Sequence, residues 1–152
     1  MTALSDNLAD DLKLAAQVQQ GLLNIYSGNQ TPGLAIKAHS IPANTIGGDF
    51  YLISKPESVK LQSRDSQPGI IHYYADTSTA YSIVVGDVTG HGTGSALVMA
   101  LSMALFSDSI QRHQRPADIL EMTNQKLCEL LPDDLVYYIT ASVMTYYPDS
   151  QT

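Results

Sequence analysis

Apolar residues recur along the first part of the chain at Leu4, Leu8, Ala15, Val18, Leu22 and Ile25. Steps close to three and four predict an amphipathic helix over Leu4 to Ile25. Leu12 lies beside that seam and Asp11 interrupts it. The pattern suits a helix packed on its own domain, or one that pairs with a second copy as a short coiled coil, and the spacing leaves both open. Ser27-Gly28-Asn29 and Thr31-Pro32-Gly33 then supply turn chemistry. Alternation replaces the helical period from there. Leu34 to His39 and Phe50 to Ile53 read as strands, and Ser54 to Gly69 as a polar surface loop. Ile70 to Ala75 and Tyr81 to Val85 read as strands joined by Asp76-Thr77-Ser78-Thr79, a segment of hairpin-loop length.

Two helices follow. The first opens after Gly92, with Leu97, Leu101, Ala104 and Leu105 as its shared apolar face and Ser102, Ser107 and Ser109 elsewhere. The second begins at Pro116, a residue suited to the first helical position, and runs to about Leu131 with Ile119, Thr123, Leu127 and Leu130 on one side. Pro132 and two aspartates stop it, and Leu135 to Tyr147 returns to strand character. Strands and helices are segregated rather than alternating, so the expected class is α+β with a largely antiparallel sheet. Residues 1–30 form a linker-type helix and 31–152 one folded unit in this reading.

Composition narrows the picture. A chain of 152 residues has room for one domain, and 44% hydrophobic with 15% charged residues is a globular balance. A net charge of −7 with only eight Lys and Arg opposes a nucleic-acid partner, which needs clustered cations. The single cysteine, Cys128, excludes an internal disulfide framework or a thiolate zinc cluster and reads as a small buried hydrophobe. No apolar run approaches the ~20 residues that span a bilayer, and Met1 to Asp11 carries no basic residue of a leader. A cytoplasmic protein without membrane contact is therefore expected.

The strongest local signal is Gly86-Asp87-Val88-Thr89-Gly90-His91-Gly92, directly after an apolar strand. Three glycines and a threonine there describe a tight turn in which backbone approaches something closely. An aspartate at such a strand end suits a hard divalent cation, which wants oxygen ligands; it equally suits a cap for the following helix. Gly47-Gly48-Asp49 repeats the pattern more weakly, since Gly-Gly-Asp is also a good turn. Placed on neighbouring strands, the two aspartates would form one carboxylate rim. Such a pair can hold two metals roughly 3.5–4 Å apart, a spacing suited to phosphate-ester hydrolysis.

Three segments in order now carry a family resemblance. They are Ala16-Gln17-Val18-Gln19-Gln20-Gly21-Leu22-Leu23, Ile41-Pro42-Ala43-Asn44-Thr45-Ile46-Gly47-Gly48-Asp49-Phe50-Tyr51, and Gly86 to Gly92; Asn124 and Tyr138-Ile139-Thr140-Ala141 fit the later part of the same pattern. The chain resembles the bacterial sporulation and stress-response branch (SpoIIE/RsbU-like) of the PP2C-type, or PPM, serine/threonine phosphatases, over about Leu8 to Tyr147. The resemblance implies an αββα sandwich with two Mn²⁺ or Mg²⁺ ions at one end of its sheets. It implies that Asp87 bridges both metals, that the Val88 carbonyl is a further ligand, and that Asp49 serves the site from the neighbouring strand. A metal-bound water is then the nucleophile toward a phosphoprotein such as an anti-sigma-factor antagonist, and no side chain is. Gly48, Gly86, Gly90, His91 and Gly92 take supporting roles, with His91 expected to pack and bond near the turn.

Departures from the family pattern set further expectations. Leu52 stands where an acidic residue is usual, which weakens support of the metals, and Asn24 replaces a proline. The family's later sheet and its Asp-Gly segment with the remaining metal carboxylates do not occur before Thr152. The chain thus reads as the front part of a phosphatase domain, inactive alone. The competing reading is a non-catalytic module that binds a regulatory protein or dimerises through its first helix. Gly47-Gly48-Asp49-Phe50 also invites comparison with the Gly-Gly-Asp-Glu-Phe hairpin of nucleotide cyclases, but the glutamate is missing and Tyr51 follows.

Overall fold

Burial alternates residue by residue along Tyr81–Val88: Ser82, Val84, Gly86 and Val88 are buried, while Val85 and Asp87 are exposed. Such a strand lies with one face on a core. In the computed structural model, which describes residues 2–23, 33–55 and 80–148, this strand is the middle one of three. In chain order the elements are α1 (Thr2–Leu23), β1 (Phe50–Ser54), β2 (Tyr81–Val88), α2 (Thr93–Arg112), α3 (Pro116–Leu130) and β3 (Ile139–Tyr146). The sheet order is β1-β2-β3, and both pairings are antiparallel, Phe50 opposite Gly86 and Asp87 opposite Thr140. The α+β architecture with an antiparallel sheet is as expected.

One face of the sheet carries the core. Phe50, Leu52, Val84 and Val88 pack there against Val98, Met99, Met103, Phe106 and Ile110 of α2 and Ile119 of α3. The rings of Phe50 and Phe106 lie 5.9 Å apart at 39°, within the usual range for an aromatic pair.

The inward face of α2 is not the one its leucines predict. Leu97 is 71% exposed, whereas Ser95, Ser102 and Ser109 are buried with Val98, Met99 and Met103. Serines seven residues apart recur on one side of a helix, and on that side Ser109 meets Thr123 of α3. Their hydroxyls are satisfied locally: Ser95 donates to the Gly92 carbonyl, Ser102 to the Val98 carbonyl, and Thr123 of α3 to Ser109. A buried hydroxyl with its hydrogen bond made costs little, so period and hydropathy alone mislead here. By length and composition α2 is also apolar enough to cross a membrane, against the expectation from apolar runs. Half of it is buried within the domain, as suits a core helix.

Other expectations need correcting. Leu34 to His39 carries no strand assignment, and its neighbours in sequence offer it no ladder partner among the described residues. Ile25, the Ser27-Gly28-Asn29 turn and the Ile70 to Ala75 strand lie outside the described residues. On α3, Ile119, Thr123 and Leu127 face inward, but Leu130 is 58% exposed. Cys128, expected to be buried, is exposed, because it sits one step round the helix from Leu127. β3 begins at Ile139, so Leu135 to Tyr138 leads into the strand without belonging to it. α1 turns Gln19, Leu22 and Leu23 to the domain, so the predicted seam reaches the core at Leu22 while Leu8 and Val18 stay exposed.

Candidate metal centre

β1 and β2 together build the carboxylate rim. The ladder ends at Phe50 opposite Gly86, so one position further the register brings Asp49 opposite Asp87. The Val88 N–H donates to the Gly48 carbonyl at 3.3 Å, which carries the pairing two residues past the ladder's end. Gly48 and Val88 are then the bonded pair, and Asp49 and Asp87 the unbonded facing pair, the kind whose side chains stand closer. Facing side chains share a side of the sheet, with Cβ atoms about 4.5–5.5 Å apart. Phe50, Gly86 and Val88 are buried on the core face, so both aspartates stand on the other face, and both are exposed.

The helix-cap alternative for Asp87 fails on geometry: the cap position of α2 is Gly92, and no side chain caps it. Asp87 is held from the other side too. Its backbone pairs with Thr140, whose hydroxyl donates to the Asp87 carbonyl at 3.5 Å. Among the described residues neither aspartate has a cationic partner, since the ion pairs are Lys13–Asp10, Arg112–Asp108 and Arg115–Asp118. Two facing carboxylates without a cation repel one another. A hard divalent cation fits that donor set, and it needs more oxygens than two side chains give. Among the described residues no group of three or more His, Cys, Asp or Glu gathers.

The glycines of the two motifs serve different ends. A Cβ on Gly48 would collide with the Val88 carbonyl oxygen, and one on Gly86 with the Phe50 ring. Close approach explains both. Gly90 and Gly92 have φ of 91° and 81° with open space around them, so conformation rather than room requires glycine. Gly48 does not return a hydrogen bond to Val88. The Val88 carbonyl therefore sits beside the rim without a backbone donor from that strand. His91 is exposed and makes no hydrogen bond among the described residues, so the packing expected of it is not seen. Leu52 is buried in the core on the face opposite the aspartates, and an acid at that position would not reach the rim.

Sequence reasoning missed Gln19. Its carboxamide pairs with the backbone of Gly47, accepting from the N–H at 3.0 Å and donating to the carbonyl at 2.7 Å. At 8% exposure this is a buried polar pair that joins α1 to the residue two before Asp49. No local pattern marked it, because Gln19 lies beside the apolar seam rather than on it, and only the fold shows the buried amide that needs these partners.

The sequence profile described as stage II sporulation protein E (SpoIIE) matches residues 77–152, the second half of the chain and the stretch that holds Asp87. The chain belongs to the SpoIIE family. A solved structure, the SiaA-PP2C domain of Pseudomonas aeruginosa, matches with a TM-score of 0.64 at 27% sequence identity. The match covers 94% of this chain and 50% of that one, so this chain spans about half the length of its structural relative. No curated protein matches. The fold is thus that of a SpoIIE-type, PP2C-like phosphatase domain, in part, and Asp49 and Asp87 stand at one end of its sheet.

Proposed function

We propose that this chain is the front part of a metal-dependent protein serine/threonine phosphatase, with Asp49, Asp87 and the Val88 carbonyl as its share of a Mn²⁺ or Mg²⁺ site. The observation that carries this is the register, which brings two exposed carboxylates, without a cationic partner among the described residues, opposite one another at the strand ends. Bound there, divalent cations supply an acidified water and neutralise phosphoryl charge. The chain's own residues orient. The β2 ladder fixes Asp87, Gly48 lets the Val88 carbonyl approach, and Gln19 holds Gly47. The substrate class is a phosphoserine or phosphothreonine protein, of which an anti-sigma-factor antagonist is one kind. Half a ligand set should not sustain turnover. With Mn²⁺, this chain is expected to hydrolyse p-nitrophenyl phosphate at the uncatalysed rate; turnover that disappears in Asp87→Asn would show the site to be complete without further carboxylates.

Homodimerisation through α1 stands beside this reading and is compatible with it. Leu8 and Val18 of the predicted seam are 61% and 59% exposed on that helix, and Leu14 beside Val18 is 60% exposed, apolar side chains left bare on α1. Sedimentation of the chain should show a concentration-dependent dimer that Leu14→Glu with Val18→Glu converts to monomer. A wild-type monomer at high concentration would remove the idea.

A further inference from the structure

One residue beyond the ladder, β2 and β3 are joined by an unusual rung. The Thr89 N–H donates to the Tyr138 carbonyl at 2.9 Å, and the Tyr138 N–H donates to the Thr89 hydroxyl at 3.0 Å. The register Val88 opposite Ile139 predicts this pairing. In a regular antiparallel bonded pair, each residue gives its N–H and its carbonyl to the other. Here the Thr89 side chain stands in for the Thr89 carbonyl. The rung is closed while the main chain is already free to leave the strand, which it does at once through Gly90, at φ 91°. The start of β3 is bonded, and so is the backbone immediately after Asp87 and Val88.

We propose that Thr89 is a positioning residue for the candidate metal centre, its hydroxyl holding the strand end in place so that Asp87 and the Val88 carbonyl face a cation in fixed geometry. This rests on the reading of Asp87 as a metal ligand. The physical case is that Asp87 is exposed and has no side-chain partner among the described residues, so its direction is set by its backbone. That backbone is pinned on one side by Val88 to Gly48 and on the other by Thr140 and the Thr89–Tyr138 rung. Without the hydroxyl, Tyr138 loses its acceptor and the rung keeps one bond of two. The turn that begins at Gly90 then pulls on Val88 directly. Partners that orient a ligand typically affect metal affinity by tenfold or more, although they touch no metal.

The test uses the whole chain, Mn²⁺ itself, and no turnover. Mn²⁺ is titrated against the chain and its dissociation constant is read from saturable paramagnetic broadening of amide resonances around residues 49 and 87. Amide hydrogen exchange at Tyr138 is followed in parallel, with Val84 as a reference for the fold. Thr89→Val keeps the shape and removes the hydroxyl; Thr89→Ser keeps the hydroxyl. The expected result is affinity about tenfold weaker in Thr89→Val, with Tyr138 protection lost and Val84 protection kept, and both properties retained in Thr89→Ser. Wild-type affinity in Thr89→Val, or equal weakening in Thr89→Ser, overturns the proposal. Asp87→Asn in the same titration separates the two readings. Binding unchanged by that substitution, or no saturable broadening in the wild type, sinks the metal reading itself. Binding lost in Asp87→Asn but untouched in Thr89→Val sinks the role of Thr89 alone.

Discussion

Phe50→Ala is expected to destabilise the chain by about 3–5 kcal/mol, the cost of removing a large ring from a packed core. Phe50 is 2% exposed, lies against Phe106, and covers the space that a Cβ on Gly86 would occupy. That last contact makes relaxation difficult. Gly86 has no side chain to move into the void, and its backbone is held in the middle strand by both neighbours. The loss is a large share of the roughly 5–15 kcal/mol that domains possess, so the urea midpoint should fall steeply. The informative contrast is Leu97→Ala on α2. Its period puts Leu97 on the apolar face, but at 71% exposure the substitution should change stability by no more than about 0.5 kcal/mol. Comparable losses in the two variants would mean that α2 turns its leucines inward after all.

That contrast shows where the sequence was legible and where it was not. Short runs of aromatic and β-branched residues located β1 and β2, and the alternating burial along β2 follows because one face of the sheet carries the core. The first position of α3 was legible because proline fits there. The buried side of α2 was not, because it carries Ser95, Ser102 and Ser109, whose hydroxyls found partners that no hydropathy pattern records. Leu34 to His39 alternates without becoming a strand, since a strand needs a neighbour and none of the described ladders admits it. For the site, the glycine-framed aspartates marked the right places, but only the register makes them a pair. The Thr89–Tyr138 rung and the Gln19–Gly47 pairing join residues 49 and 28 positions apart. Contacts of that range are properties of the fold, invisible to local pattern.

Asp87→Asn should change sign with the metal. In metal-free buffer the wild type carries two facing carboxylates with no cationic neighbour among the described residues. Neutralising one removes a like-charge pair, worth about 0.2–1 kcal/mol across strands, and asparagine keeps the shape. The variant should therefore melt slightly above the wild type. Exposure of both groups keeps the gain at the low end, because solvent screens them. Adding Mn²⁺ reverses the order. A cation that binds only the folded chain stabilises it by about 1.4 kcal/mol at tenfold excess over its dissociation constant, and the variant has lost a charged ligand needed for that. Wild-type melting should rise with Mn²⁺ while the variant's stays flat, so the two curves cross. Asp49→Asn should behave alike, and the two substitutions combined should add less than their sum, because either one alone already removes the repulsion. An Asp87→Asn chain that is less stable without metal would show that Asp87 holds the fold. A chain whose melting still rises with Mn²⁺ would show that the cation binds elsewhere. Stability lost to like charges and recovered on binding is what a ligand site does to a fold, and a structural turn gives no such crossing.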